Sequence, residues 1–394
     1  MKEKLKIAVL IRNFVSTGGA ERYAIEVTRR LAVTHDVHVF AQEWSWHGEE
    51  ALTFHKIPSP FVRPSWLNQI LFSYFCKRSL GQDFDIIHSH ERVSRFDILT
   101  IHCPCFRTYI TEEKRLWKKM FIWFRVVLSP RSLAYLWLEK KQFTYDNERL
   151  LIATSENIMK NVQMNYPLPR HAFRIAYPGV DSNLVFKQNN PTHKGMLRDK
   201  LGIPRDDLVI LFVGTEFKRK GLDALLKGFA TIVDSNLTLV IAGGGGGKMT
   251  EYVQMAKKLG VENRTIFLGL VEDIENIYAA SDIFILPTLS DPSPLVPLEA
   301  MASGLATILS NEHYTGTAEH IKHGEALILT DPKDPEEIAE ALRKLTDKEY
   351  RLELGQKGRR TAERITWERT TEVTLDAYHD VLRQKKDTPV NNHP

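Results

Sequence analysis

Short apolar runs of four to six residues alternate with longer amphipathic stretches along almost the whole chain. Ile7–Ile11 reads as a buried strand, and Ala20–Leu31 as the helix that follows it. Val37–Phe40, Leu52–Ile57, Ile86–His90, Ile98–Cys103 and Leu150–Thr154 continue the series. The alternation then pauses. Tyr177-Pro-Gly-Val-Asp181 leads into Lys187–Lys200, a polar stretch with Asn189-Asn-Pro and Gly195 that reads as poor in structure. It restarts with Leu208–Val213, the helix Leu222–Ile232, Leu237–Ala242, Thr265–Leu268, Ile283–Leu286, Thr307–Ser310 and Ala326–Leu329. Strands apolar along their whole length and separated by helices predict parallel sheets covered on both faces. Two such arrays predict an α/β protein of two doubly wound, Rossmann-like domains, residues 1–180 and 181–366, with a ligand cleft between them. A last helix spans roughly Trp367–Arg383, and the polar tail Gln384–Pro394 reads as flexible.

Composition adds little until it is divided. The 394 residues are 43% hydrophobic and 26% charged, with a formal net charge of +4. That excludes collagenous, disulfide-scaffold and wholly disordered classes. Residues 1–180 carry net +9 and residues 181–394 net −5, a split that predicts different partners for the two halves. Three cysteines, Cys76, Cys103 and Cys105, are too few for a disulfide framework and fit a reducing compartment. Cys103-Pro-Cys105 beside His102 lacks a second cluster at metal-finger spacing and reads as buried thiols, with no metal expected. No signal-peptide core or spanning run is visible, and a cytoplasmic location is expected.

Three glycine loops invite a phosphate. Ser16-Thr-Gly-Gly-Ala-Glu-Arg22 follows the first strand and opens a helix, whose amides and dipole attract anions. Gly243–Gly247 fails both as a Walker loop, with Ala242 and Met249 out of pattern, and as a complete G-x-G-x-x-G fingerprint. The second failure also disfavours a dehydrogenase. Val213-Gly-Thr-Glu-Phe-Lys-Arg-Lys-Gly221 sets three bases at a helix entrance, either a diphosphate site or a solvated basic turn. In Ser281–Gly304 a buried strand ends at Pro287 and a helix begins near Val296. Asp291 and Glu299, eight apart, are placed to bracket a polyhydroxylated ligand, with the amides of Ser293, Leu295 and Val296 free to donate.

In this order, Gly18-Gly-Ala-Glu-Arg22, His102, Pro178-Gly-Val-Asp181, Val213-Gly, Lys220-Gly221, Ala242-Gly, Phe267-Leu-Gly269, Ala280-Ser-Asp282 and Asp291-x7-Glu299 cover nearly the whole chain. The sequence resembles the retaining nucleotide-sugar glycosyltransferases of family 4 (group 1), which have the two-domain GT-B fold. The neighbourhoods of Cys103–Phe106 and Val213–Asp223 look most like the lipopolysaccharide core glucosyltransferase I subfamily. Two residues depart from the family pattern: Thr215 stands where most of the group has Arg, and Asp291 where it has Glu.

The resemblance implies a catalytic group of His102, Arg219, Lys220 and Asp291. Arg219 and Lys220 would hold the donor diphosphate without a metal, Asp291 would orient the hexose, and His102 would contact the sugar near the reacting carbon. It implies a donor site of Gly18, Gly19, Gly214, Thr215, Lys220, Gly269, Ser293, Leu295, Val296 and Glu299, with Glu299 on the ribose. The implied donor is a UDP-sugar, most simply UDP-glucose, and the acceptor a hydroxyl of a lipopolysaccharide core or similar glycolipid. The C-terminal helix is expected to join the first domain. Another family-4 specificity, an epimerase, or a silent nucleotide-sugar-binding protein are the competing readings.

Phe106–Phe143 concentrates the charge asymmetry, with nine Lys and Arg against three Glu among nine aromatics. Arg107, Arg115, Trp117, Lys118, Lys119, Trp123 and Arg125 are candidates for acceptor or membrane contact. On a helix Trp117, Phe121 and Phe124 share a face with Leu128, flanked by cations. That pattern suits an anionic membrane surface, acceptor phosphates, or a core-packed helix with a solvated basic face. No nucleic-acid module accompanies it. With the resemblance, a peripheral position on the inner face of the cytoplasmic membrane is favoured; oligomeric state is not legible.

Overall fold

The computed structural model describes residues 4–16, 18–61, 63–111, 115–144, 146–181, 191–233, 236–244 and 248–387. The chain forms two compact units. One holds the residues up to Pro178 together with those from Trp367 on; the other is Gly179–Thr366.

The first unit is built on a seven-stranded parallel sheet. Its strands are β1 (Lys6–Leu10), β3 (Asp36–Ala41), β5 (Leu52–Lys56), β6 (Ile86–Ser89), β7 (Ile98–Ile101), β8 (Leu150–Ala153) and β9 (Phe173–Ile175). A two-residue pair, β2 (Asn13–Phe14) and β4 (Glu43–Trp44), stands beside it. The order is β5-β3-β1-β6-β7-β8-β9. Every residue of β6, β7 and β8 is buried, which is why these runs are apolar throughout rather than alternating. The sheet winds outward from β1 in one direction and from β6 in the other. The β1/β6 junction is therefore the switch point, where a crevice opens at the carboxyl ends of the strands.

The second unit repeats the plan with β10 (Leu208–Val213), β11 (Leu237–Ala242), β12 (Thr265–Gly269), β13 (Ile283–Leu286), β14 (Ala306–Ser310) and β15 (Leu327–Leu329). All pair in parallel in the order β12-β11-β10-β13-β14-β15, so its switch point lies between β10 and β13. Its core gathers the β10, β11, β13 and β14 side chains against Leu225, Leu226, Phe229, Leu298, Ile338 and Leu342.

Several expectations are corrected. The stretch read as poor in structure contains a helix, Pro191–Leu201. Gly195 and the preceding Asn-Asn-Pro argue against a helix locally, but tertiary bonds override propensity. The buried Arg198 guanidinium donates to the carbonyls of Ala280, Arg205 and Asp207 and to Asp282, and Lys194 reaches the same carboxylate at 2.6 Å. Residues 182–190 lie outside those described. The strand expected at Ile98–Cys103 stops at Ile101, leaving His102 on the loop beyond it. The short β9, broken by Arg174, left no legible run. The final helix extends to Asp387, four residues into the segment read as a flexible tail, and the remainder is not described. That helix belongs to the first unit, where Trp367, Ala377, Tyr378 and Val381 are fully buried.

Candidate active site

In the second unit, the residues predicted to hold the donor gather at the carboxyl ends of β10 and β13. The turn after β10 is shaped by glycine. Gly221 has φ +81°, and a Cβ there would run into the carbonyl of Pro287 at the end of β13. A Cβ on Gly214 would meet the Lys220 stem at 3.0 Å, and one on Gly243, with φ +105°, would strike the Gly214 backbone. The Gly243 amide donates to the Gly269 carbonyl at 2.6 Å. Gly214, Gly243 and Gly269 thus pack backbone on backbone across β10, β11 and β12. Gly245–Gly247 are outside the described residues.

The turn is laced to the loop after β13. The Arg219 carbonyl accepts from the amide of Leu289 at 2.8 Å and from the Thr288 hydroxyl at 3.2 Å. The Arg219 guanidinium donates to the Ser290 carbonyl at 2.5 Å, pairs with Glu216, and stands 3.7 Å from Asp291. Lys220 forms a close ion pair with Asp291, both side chains being largely buried. Arg219, Lys220 and Asp291 therefore meet at one point, 72 residues apart in sequence but adjacent at the switch point. Thr215, where most of the family has Arg, is exposed.

Asp291 is fixed from the opposite side. Its amide donates to the Tyr314 carbonyl at 2.8 Å and its carbonyl accepts from Gly316 at 3.2 Å. The amides of Ser293, Leu295 and Val296 have no acceptor among the described residues. Pro292, Pro294 and Pro297 bring no donors of their own. Glu299, 5% exposed, sits in the first turn of the helix Val296–Ala302, where a carboxylate complements the helix dipole. It accepts from the Tyr278 hydroxyl at 2.8 Å. Tyr278 escaped the sequence reading. Its signal was a tyrosine amid the apolar turn Ile274–Ala280, since a buried phenol needs a partner.

In the first unit, Gly18 and Gly19 follow the β1–β2 segment and open the first helix, and His102 lies past the carboxyl end of β7, next to β6. Gly18 caps the helix Gly19–Ala32, its carbonyl accepting from Arg22 at 2.9 Å. A Cβ at Gly19 would meet nothing within 4 Å, whereas at Gly18 it would meet the Glu21 carboxylate folded across it. His102, just past β7, accepts or donates at Nε2 to His90 Nδ1 at 3.1 Å, the rings stacked at 5.3 Å. The edge of Tyr23 packs on His102 at 5.1 Å. Burial pushes the His102 pKa down to about 4, so the ring is neutral at pH 7. His88 and His90 were missed, although a strand places i and i+2 on one face.

The loop after His102 is held by Glu139, a residue that sequence counted only as charge. Its side chain is buried and accepts from the amides of Phe106 and Arg107 and from the Tyr166 hydroxyl. Burial raises its pKa, while the amides and Arg92 pull it back. Asn161 holds the same turn, accepting from the Cys105 amide at 2.9 Å and the Thr108 hydroxyl at 3.0 Å. Cys105 is buried but Cys103 is exposed, against the expectation that both thiols are buried.

Glu139 lies on the helix Pro130–Gln142, which buries Ala134, Leu138 and Gln142 as well. Its partner, Leu116–Val127, buries Val126 but leaves Trp117, Met120, Phe121 and Phe124 between 59% and 72% exposed, with Trp123 at 47%. Val127 and Leu128 are exposed too. The core-packed alternative does not fit this segment, because Trp117, Phe121, Phe124 and Leu128, the residues of its apolar face, are each more than half exposed. Arg107, Arg115 and Arg125 are exposed or half-exposed around it, and the side chains of Lys118 and Lys119 lie outside those described. No helix among the described residues is long and apolar enough to cross a membrane. No group of three or more His, Cys, Asp or Glu among them is placed to hold a metal ion.

Comparison with known proteins defines the class. The model of the family described as Glycosyltransferase Family 4 matches residues 17–184, and that of Glycosyl transferases group 1 matches residues 194–361. The chain belongs to the family-4, group 1 glycosyltransferases and has their GT-B fold, as its motifs led us to expect. Among its relatives, the lipopolysaccharide glucosyltransferase WaaG of Escherichia coli (strain K12) is 22% identical over 363 residues, 91% of this chain and 94% of the relative. The crystal structure of WaaG, a glycosyltransferase involved in lipopolysaccharide biosynthesis, matches with a TM-score of 0.77 at 21% identity, covering 98% of this chain and all of that one. Anabaena Alr3699/HepE, solved in complex with UDP-glucose, matches with a TM-score of 0.71 at 17% identity, covering 98% of this chain and 100% of that chain.

Proposed function

We propose that this glycosyltransferase moves a hexose, most simply glucose from UDP-glucose, with retention, to a hydroxyl of a lipopolysaccharide core or similar cell-envelope glycolipid. The observation that carries the reading is the meeting of Arg219, Lys220 and Asp291 at the β10/β13 switch point, beside the buried Glu299. Two cations there can neutralise a diphosphate leaving group, the part a metal plays in other transferases. Glu299 would accept the ribose hydroxyls, its second partner Tyr278 keeping the carboxylate from swinging. Asp291 is paired with Lys220. When the diphosphate takes the lysine, the carboxylate is released to the hexose hydroxyls, with the amides of Ser293, Leu295 and Val296 beside it. Gly18 and Gly19 would let backbone donors approach the diphosphate, and His102 would contact the sugar near the reacting carbon. Retention would follow from a front-face reaction in which the departing phosphate helps deprotonate the acceptor hydroxyl.

The relatives named above support the choice of donor and acceptor: one is a lipopolysaccharide glucosyltransferase and another was solved with UDP-glucose. The exposed basic and aromatic hairpin of residues 116–142 fits a lipid-anchored acceptor on an anionic membrane surface, and so a peripheral position on the inner face of the cytoplasmic membrane. Lys220→Ala and Glu299→Ala are each expected to lower turnover of UDP-glucose by about 100-fold or more. Near-normal initial rates in both variants would overturn the assignment. UDP release that requires a glycolipid acceptor separates transfer from epimerisation or silent binding.

A further inference from the structure

Three histidines stand in a row, His88 inside β6, His90 just past it and His102 just past β7, and their hydrogen bonds leave little choice of protonation. His88 is fully enclosed: Nδ1 meets the Tyr378 hydroxyl at 2.8 Å and Nε2 the Thr100 hydroxyl at 2.7 Å. Its ring packs on that of His90 at 4.4 Å. His90 Nδ1 faces His102 Nε2 at 3.1 Å, while His90 Nε2 is buried with no hydrogen-bond partner among the described residues. Burial keeps both His90 and His102 neutral at pH 7. A neutral pair shares a single proton along the Nδ1···Nε2 line.

Two arrangements are then possible. If His102 donated from Nε2, His90 would carry its own proton on Nε2, a buried N–H with no acceptor. If His90 donates from Nδ1, the buried atom is only an unused lone pair. Orphaned buried N–H groups are the rarer and costlier defect. We propose that His90 is a positioning residue that fixes His102 as the Nδ1–H tautomer. His102 Nδ1 makes no hydrogen bond among the described residues and is not among the sealed polar atoms, so it is the nitrogen left to meet a ligand. His102 then acts as a hydrogen-bond donor to an oxygen of the transferred hexose rather than as a base. This use of Nδ1 rests on His102 being at the sugar; the tautomer does not.

The test separates the two. In the 15N-labelled full chain at pH 7, multiple-bond 1H–15N spectra should show His102 with Nδ1 protonated and Nε2 bare, the signal being assigned by its loss in His102→Gln. In His90→Phe the ring should revert to the Nε2–H form that unconstrained neutral histidine favours, with kcat reduced between about 10- and 100-fold and the donor KM little changed. His90→Asn sets an amide donor near the Nδ1 position and should restore both tautomer and kcat. A wild-type His102 protonated on Nε2, or a tautomer indifferent to His90→Phe, overturns the proposal. Equal loss in the Phe and Asn variants also overturns it. A tautomer that shifts while kcat does not would leave the histidine coupling standing and overturn the placing of His102 at the sugar.

Discussion

At the scale of single residues, the second unit's site is set by where side chains are absent. Gly221 combines a left-handed backbone with contact against the Pro287 carbonyl, so it answers to both strain and space. Gly221→Ala is expected to destabilise the protein by about 2 kcal/mol or more, read as a lower urea midpoint, and to lower donor affinity because Lys220 is the residue before it. An unchanged midpoint would mean that the turn has room to relax. The first unit's histidines give a pH dependence of definite sign. Burial holds His88 at about 3 and His102 at about 4, below the usual histidine value near 6.5. Buried His320 in the second unit is likewise held at about 4. The fold therefore favours the neutral rings, a contribution complete above about pH 6.5 and lost as pH falls toward 4 and 3. Each group adds a slope of about 1.4 kcal/mol per pH unit in that window. Glu139 acts in the opposite sense, since its raised pKa makes protonation easier in the fold. Three histidines outweigh it, and stability by chemical denaturation should fall between pH 7 and pH 5; a flat profile would remove the histidine row as a source of stability.

At the scale of elements, the helical hairpin of residues 116–142 divides its work between two faces. Glu139, Ala134 and Leu138 tie the second helix to the unit beneath, next to the loop that carries His102. The first helix offers Trp117, Phe121 and Phe124 outward. Trp117→Ser, Phe121→Ser and Phe124→Ser together should abolish sedimentation with anionic vesicles while leaving the thermal midpoint and UDP binding as they were. Retained vesicle binding would move the lipid contact elsewhere. This face was half legible beforehand: the i, i+4, i+7 spacing gave an amphipathic helix, but spacing alone cannot tell an apolar stripe that packs inward from one that stays outside. The strands were legible for a simpler reason. Strands buried on both faces must be apolar throughout, so β6, β8, β10 and β13 announced themselves, whereas β9, interrupted by Arg174, did not. The helix Pro191–Leu201 was hidden because its stability comes from Arg198 and Lys194 reaching Asp282, some 85 residues away, which no local pattern records. The carboxylates and cations that meet at β10 and β13 stood in motifs, while Tyr278, which bonds Glu299, His90, which faces His102, and Glu139, which holds the following loop, stood in none. A residue that acts by holding another is defined by a contact, and contacts are not written along the chain.

At the scale of the whole molecule, the small net charge of +4 is the residue of two opposed bodies. Assigning the C-terminal helix to the first unit leaves that unit at +8 and the second at −4. The positive unit bears the exposed hairpin, and the negative one bears the two cations that would meet the diphosphate. These charges answer differently to salt. Arg125, Arg131, Lys140 and Lys141 of the hairpin are solvent-exposed, so their proposed attraction to an anionic surface would act over the Debye length, about 10 Å at 0.1 M salt and about 3 Å at 1 M. Lys220 is largely buried and Arg219 already bonded to backbone, so the hold proposed for them on a diphosphate would act at contact distance, where screening is weaker. Raising salt from 0.1 M to 0.5 M should therefore strip the protein from anionic vesicles, at about 1 kcal/mol for each cation engaged. UDP should still stabilise it, by about 2.7 kcal/mol when present at 100 times its dissociation constant under the same conditions. Flotation and thermal-shift measurements on one salt series check both. Parallel loss of the two activities would mean that donor and membrane binding draw on the same exposed charge, and would contradict the division of labour between the units.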